Sequence, residues 1–294
     1  MKVSFVGLGK MGVAMAGRIL AAGHETGVYN RTASKAEPLV AKGATALATV
    51  ADAAAFGPVV ITMVENDAAL SSVALDDGGL VAAMPKGAIH VAMGTHSIAL
   101  IKKLTEAHQA AGQQLVSAPV MGRPPVAEAG QLGIVAGGPA DAIGTCQPLF
   151  DAMGRRTYPA GPDPVSAASA KIVNNFILAC AVEALGEGFA LGRKCGLPAD
   201  SLFEILTDGL FAAPAYKVYG QIIADQSYFS QPGFSARTGL KDVLLALSAG
   251  EAMSVPLPSA NVCRDRLLGA IAHGHGDADW AVMAHEQALA SGMA

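Results

Sequence analysis

The sequence predicts an α/β protein: a doubly wound parallel sheet in the N-terminal half, then an all-helical region reached through one long helix. Three observations carry this. Short β-branched runs alternate with amphipathic helical stretches up to about residue 160, the pattern of parallel strands with crossover helices. The breaker cluster Gly161-Pro162-Asp163-Pro164 ends that alternation, and no convincing strand follows it. An apolar helical pattern then runs from Val165 to Lys194, longer than most globular helices.

Strands are expected at Val3–Val6, Thr26–Tyr29, Val59–Thr62, Ala88–Ala92, Gln114–Val116 and Leu132–Ala136. Helices between them fit Met11–Ala22, Ser34–Lys42 and Ile98–Ala111. Beyond the long helix, which Gly196-Leu197-Pro198 stops, further helices fit Ala199–Asp208, Pro214–Ala224, Thr238–Ala249, Ser259–His273 and Asp279–Ser291. The expected division is therefore 1–163 and 164–294.

Composition narrows the class. The 294 residues carry 20 basic against 24 acidic side chains, a formal net charge of -4, so no basic excess exists to displace counterions from a nucleic acid. Hydrophobic residues make up 52% and charged ones 15%, which excludes a disordered chain. Mean hydropathy is +0.40, yet no run of 18 consecutive apolar residues is present, so no membrane span is expected. The four cysteines, Cys146, Cys180, Cys195 and Cys263, form no CxxC pair and read as buried thiols in a reducing compartment. With no signal-peptide pattern after Met1, a cytoplasmic location is expected.

The motif that carries chemistry is Gly7-Leu8-Gly9-Lys10-Met11-Gly12, which follows the first strand and opens the first helix. Gly7 permits the tight turn and Gly9 the approach of a pyrophosphate. Gly12 lets helix pack on strand, and the amides of Lys10 and Met11 at the helix start attract the anion. In that context the motif predicts a Rossmann dinucleotide-binding unit. The second strand ends in Tyr29-Asn30-Arg31-Thr32, without the carboxylate that would take a ribose hydroxyl. Arg31 with Asn30 and Thr32 suits a 2′-phosphate, which favours NADP(H) over NAD(H). The other reading has Thr32 or Ser34 capping the next helix and Arg31 solvated.

Lys171, Asn174 and Asn175 share one face of the long helix among apolar neighbours. Such a lysine can give a proton to a carbonyl oxygen as hydride reaches the carbon, with the amides orienting substrate. A solvated lysine with two amides bonded to local backbone is the competing reading. His273-x-His275-x-Asp277-x-Asp279 has metal-like residue types but lies in a glycine-containing loop, so no metal is expected. Met11, Met15, Met63 and Met93 read as packing.

Together these residues resemble the β-hydroxyacid dehydrogenase family, which includes 3-hydroxyisobutyrate dehydrogenase and glyoxylate/succinic semialdehyde reductase. Gly7 to Gly12 matches its cofactor motif, and Asn30-Arg31-Thr32 its NADP-type strand end. Ser117 to Gly122 matches the substrate loop, Gly161 to Asn175 the catalytic segment, Lys241-Asp242 a pair closing over the cofactor, and Pro256-Leu257-Pro258 the start of a late helix.

The resemblance implies Lys171 as general acid/base and Asn175 as a catalytic, substrate-orienting residue beside Asn174. It implies that Met63, Val64, Thr95 and Lys241 line the cofactor, that Val120, Met121, Gly122 and Arg123 bind the far end of the substrate, and that the protein is a homodimer or homotetramer. The expected activity is NADPH-dependent interconversion of a small aldehyde, a semialdehyde or glyoxylate-like acid, and its hydroxy acid. An NADPH-dependent imine reductase and a non-catalytic NADPH-binding regulator are the alternatives.

Departures from the family pattern concentrate in the substrate region. Ser117 replaces the usual Asp, Met121 the usual Ser, and Arg123 the second Gly of the loop. Ala92-Met93-Gly94-Thr95 stands where the family has Asp-Met-Ser-Thr, and Glu65 where a Pro usually follows the fourth strand.

Overall fold

The structure is a computed structural model that describes residues 1–230 and 232–293. The chain divides into two compact units, Met1–Lys171 and Ile172–Ala294.

In the first unit the strands are β1 (Lys2–Val6), β2 (Glu25–Tyr29), β3 (Thr45–Ala46), β4 (Val59–Thr62), β5 (Ile89–Ala92), β6 (Gln114–Ser117), β7 (Val120–Met121), β8 (Leu132–Gly137) and β9 (Gly154–Gly161). Helices alternate with them: α1 (Lys10–Ala21), α2 (Glu37–Val40), α3 (Val50–Phe56), α4 (Asp67–Leu75), α5 (Leu80–Ala83), α6 (Ile98–Ala110), α7 (Pro124–Glu128) and α8 (Ala140–Met153). Strand order is β3-β2-β1-β4-β5-β6-β8-β7, with β9 paired to β8. The first six strands are parallel in the doubly wound order that reverses between β1 and β4, the switch point where such sheets bind dinucleotides. β8 runs antiparallel to β6 and β7.

Burial explains the strands' composition. Every residue of β4 and β5 is buried, as parallel strands covered on both faces must be. Phe5, Met15, Ile19, Val28, Ile61 and Val91 join one core between sheet and helices. Several elements depart from expectation, among them the short strands β3 and β7, which were not expected. Ser34–Lys42 is a 3-10 turn (Ala33–Ala36) followed by the short α2, with Pro38 in its first turn. β9 was not expected: its sequence GRRTYPAG has no apolar period, and its burial never exceeds half-buried.

A polar chain crosses this apolar sheet. Thr62 Oγ1 lies 2.9 Å from His90 Nε2, and His90 Nδ1 lies 2.8 Å from His108 Nε2. His108 Nδ1 reaches Gln113 Oε1 at 2.7 Å, and the Gln113 amide donates to the carbonyls of Met84 and Val81. Since Gln113 spends its amide hydrogens on carbonyls, its oxygen accepts from His108. That fixes each proton back to a Thr62 hydroxyl donating to His90, with both imidazoles neutral. Burial pushes both histidines below their ordinary value, His90 furthest, with the facing imidazole of His108 adding to the effect on His90.

α9 (Pro164–Lys194) carries the chain into the second unit. That unit then consists of α10 (Ala199–Asp208), α11 (Pro214–Ala224), α12 (Ala236–Ala252), α13 (Pro258–Ala272) and α14 (Met283–Ala290), the last preceded by a 3-10 turn at Trp280–Val282. Its core gathers Phe189, Tyr219, Tyr228, Leu267 and Trp280. By length and composition alone α9 could cross a bilayer, contrary to expectation. Within it, however, Glu183 pairs with Arg266 at 2.9 Å and Asn175 with Asp242, the contacts of a packed helix. The four cysteines are free, with Cys146 and Cys263 buried but Cys195 exposed.

Candidate active site

The glycine motif forms the turn that its spacing demands. Gly7 has φ 98°, a left-handed value that favours glycine, and its amide donates to Tyr29 O at 2.9 Å. A Cβ at Gly7 would strike the carbonyl oxygen of Met63, and one at Gly12 the carbonyl oxygen of Gly7. At Gly9 a Cβ would meet nothing within 4 Å, so the backbone faces open space there. Gly9 caps α1 without a side-chain bond, which leaves the amides of the exposed Lys10 and half-buried Met11 available to an anion. This cradle fits a pyrophosphate.

Asn30 braces the turn. Its Oδ1 accepts from Leu8 N at 2.9 Å, and its Nδ2 donates to Thr32 O at 3.0 Å. Arg31 and Thr32 are exposed beyond it, and Thr32 makes no side-chain cap on the following turn. Asn30 thus acts on the loop's shape. At the ends of β4 and β5, Met63 and Val64 are half-buried, as is Thr95.

The substrate loop adjoins the lysine. β7 pairs with β8 in the register Val120 to Ile134 and Met121 to Gly133. Gly122 (φ 147°) then turns the chain against Leu132 and Val126. Arg123 is half-buried at the N-cap of α7, its Nε shielded from water, with Pro124 next to hold the loop. Lys171 Nζ stands 3.9 Å from Met121 Sδ. A thioether is only a weak acceptor for an ammonium.

In the helical unit the two asparagines form a chain. Asn174 Nδ2 donates to Asn175 Oδ1 at 3.0 Å, and Asn175 Nδ2 donates to Asp242 Oδ2 at 2.5 Å. Lys241 Nζ lies 2.8 Å from the other oxygen of Asp242. Asn175 and Asp242 are buried and Asn174 is exposed. Sequence reasoning placed Lys241 at the site but missed that Asp242 anchors Asn175. A buried carboxylate beside a lysine was the available signal, but its partner 67 positions away was not visible. The His273–Asp279 loop uses its side chains locally: His273 pairs with Glu286, Asp277 lies near Arg237, and Asp279 accepts from Ala281 N. No cluster of three metal-ligating side chains is present among the described residues.

Both parts of the chain match known families. Residues 2–161 match the family described as the NAD binding domain of 6-phosphogluconate dehydrogenase. Residues 166–286 match that described as NAD-binding of NADP-dependent 3-hydroxyisobutyrate dehydrogenase. The chain is 40% identical over 283 residues to the uncharacterized oxidoreductase YfjR of Bacillus subtilis, covering 96% of this chain and 98% of that one. It is 33% identical to glyoxylate/succinic semialdehyde reductase 1 of Arabidopsis thaliana, with 96% and 97% covered. Among solved structures it resembles Mycobacterium tuberculosis 3-hydroxyisobutyrate dehydrogenase with L-serine, at 26% identity and a TM-score of 0.87, covering 96% and 97%.

Proposed function

Starting from its membership of the β-hydroxyacid dehydrogenase family, an NAD(P)-dependent oxidoreductase acting on CH–OH groups, we propose that this protein uses NADPH to reduce a small aldehyde, a semialdehyde or glyoxylate-like acid, to its hydroxy acid. The observation that carries this reading is the Lys171 ammonium beside the loop of residues 120–123, in a unit whose Gly7–Gly12 turn is shaped for a dinucleotide.

Gly9, Lys10, Met11 and Gly12 would hold the pyrophosphate, Arg31 the 2′-phosphate, and Met63, Val64 and Thr95 the nicotinamide end. When bound, the cofactor supplies the hydride. Lys171 Nζ donates a proton to the carbonyl oxygen as the alkoxide develops, and takes it back in the oxidative direction. Asn175, fixed by Asp242 and bonded to Asn174, orients the substrate, with Asn174 beside it. Met121 cannot give the hydrogen bond of the family's loop serine, and Arg123 supplies a charged donor in its place, so an anionic substrate retains a partner. Exposed apolar side chains on the helical unit, among them Ile205 (65%) and Leu210 (92%), support assembly as a homodimer or homotetramer.

The test is a panel of small aldehydes, hydroxy acids and cyclic imines, followed by the dihydronicotinamide absorbance with NADPH and with NADH. Turnover of an anionic aldehyde with NADPH is expected. Turnover of the imines alone would establish an imine reductase, and cofactor binding without turnover of any compound a non-catalytic regulator.

A further inference from the structure

Two loops of the first unit reach the expected nicotinamide end: Met63–Asn66 after β4, and Met93–Ser97 after β5. Asp67, the first residue of α4, ties them together. Its Oδ1 lies 3.2 Å from His96 Nδ1 and accepts the amide of Ser97 at 3.0 Å. Ser97 in turn caps α6 by accepting from Leu100 N. Burial opposes the charge on Asp67, yet the bonds from the His96 and Ser97 side chains and the Ser97 amide hold its carboxyl down to about 2. It is ionised at any working pH.

The imidazole also shapes the second loop. A Cβ at Gly94 would run into His96 Nε2, and would lie 2.8 Å from the carbonyl oxygen of Val64. A side chain at position 94 is therefore excluded by both the His96 ring and the Val64 carbonyl, which accounts for Gly94 where the family carries Ser. The His96 side chain is 0% exposed, so it acts on a bound cofactor only through the backbone it supports.

We propose that Asp67 and His96 form a clasp that sets the spacing of the Val64 and Gly94–Thr95 backbones, making both positioning residues for the nicotinamide ring. The inference rests on the reading that these segments flank that ring. The adenosine half of the cofactor lies on Gly7–Gly12 and Arg31, outside the clasp. Loosening the clasp therefore weakens grip on the nicotinamide half alone.

The experiment uses the full chain with His96→Ala, His96→Asn, Asp67→Ala and the Asp67→Ala/His96→Ala double variant. Dissociation constants are measured for NADPH and for the 2′-phosphate of ADP-ribose, which lacks nicotinamide, together with kcat. His96→Ala and Asp67→Ala are each expected to weaken NADPH by about tenfold, as loss of one charge-assisted hydrogen bond would, and to lower kcat. The nicotinamide-free ligand should bind within about twofold of the parent. The double variant should lose no more than the worse single one, since the two side chains form one contact. Asn at 96 keeps a donor for Asp67 and should recover most of the loss.

Equal losses for both ligands would overturn the proposal in favour of a purely structural pair, and so would additive losses or no loss. Should His96→Ala fail to fold, the half-exposed Asp67→Ala decides by the same split between ligands. A parent that binds neither ligand refutes the cofactor reading itself, and the clasp with it.

Discussion

Acid should destabilise the sheet unit through the Thr62–His90–His108–Gln113 chain. Both imidazoles are fully buried and neutral, and burial holds both below the ordinary histidine value. A depressed value in the folded state means the unfolded chain binds protons first as pH falls. The stability is therefore complete above the unfolded value of about 6.5 and is lost below it. Between about pH 7.5 and pH 5.5, a histidine that stays neutral when folded costs about 1.4 kcal/mol. His90, whose value is lowered the further, gives that figure, and His108 adds to it in the same direction. At a urea slope of about 2.5 kcal/mol/M, His90 alone moves the unfolding midpoint down by about 0.5 M.

Far-UV circular dichroism at several pH values follows both units, whereas the single tryptophan, Trp280, lies in the helical unit and reports that one. The early, pH-sensitive transition should appear in circular dichroism. A His90→Val/His108→Leu variant should lose this pH dependence even though it strands the Thr62 hydroxyl and the Gln113 amide oxygen. A midpoint that stays level across this range in the parent would refute the assignment of two neutral buried imidazoles.

Three further outcomes are expected. Lys171→Ala should keep cofactor affinity and lower turnover by roughly 10²–10⁴, the contribution of a positioned acid; rates within a few-fold of the parent would reject its proton-transfer role. Arg31→Ala should cost NADPH about 10- to 150-fold in affinity and leave NADH nearly unchanged, by titration of each cofactor. In steady-state kinetics Arg123→Ala should raise KM for an anionic aldehyde at least about tenfold and leave a neutral one unaffected; a shared effect would mean Met121 and Arg123 merely line a hydrophobic pocket.

What was legible in the sequence is what is encoded locally. Gly7, Gly9 and Gly12 are needed within one turn, so their spacing predicted both the turn and its ligand. The helices Ala199–Asp208 and Pro214–Ala224 have the limits that their proline and apolar signals set. β9 escaped because two arginines and a proline fill an exposed strand whose pairing with β8 depends on neighbours, not on its own pattern. Contacts between distant residues were likewise hidden. Asp67 and His96 lie in separate loops, and Gly94 read as a mere departure from a family pattern until the ring beside it was located. His90 and His108 stand in different elements, and only the fold sets their ring nitrogens 2.8 Å apart.

Asn30 has a consequence for how cofactor choice can be altered. One side chain holds the Leu8 amide in the glycine turn and the Thr32 carbonyl in the loop that carries Arg31. On the proposed reading, discrimination between cofactors and grip on their common pyrophosphate would be mechanically joined. Transplanting the segment 30–32 as a block from an NAD-preferring relative would release the turn while it rewrote the selectivity. Asn30→Asp, the exchange that would install a carboxylate for the ribose hydroxyl, keeps the acceptor for Leu8 but sets a second oxygen against Thr32 O. A change of preference in this chain has to be built around Asn30, at positions 31 and 32. The more obvious exchange, at position 30 itself, begins by unfastening the turn it is meant to retune.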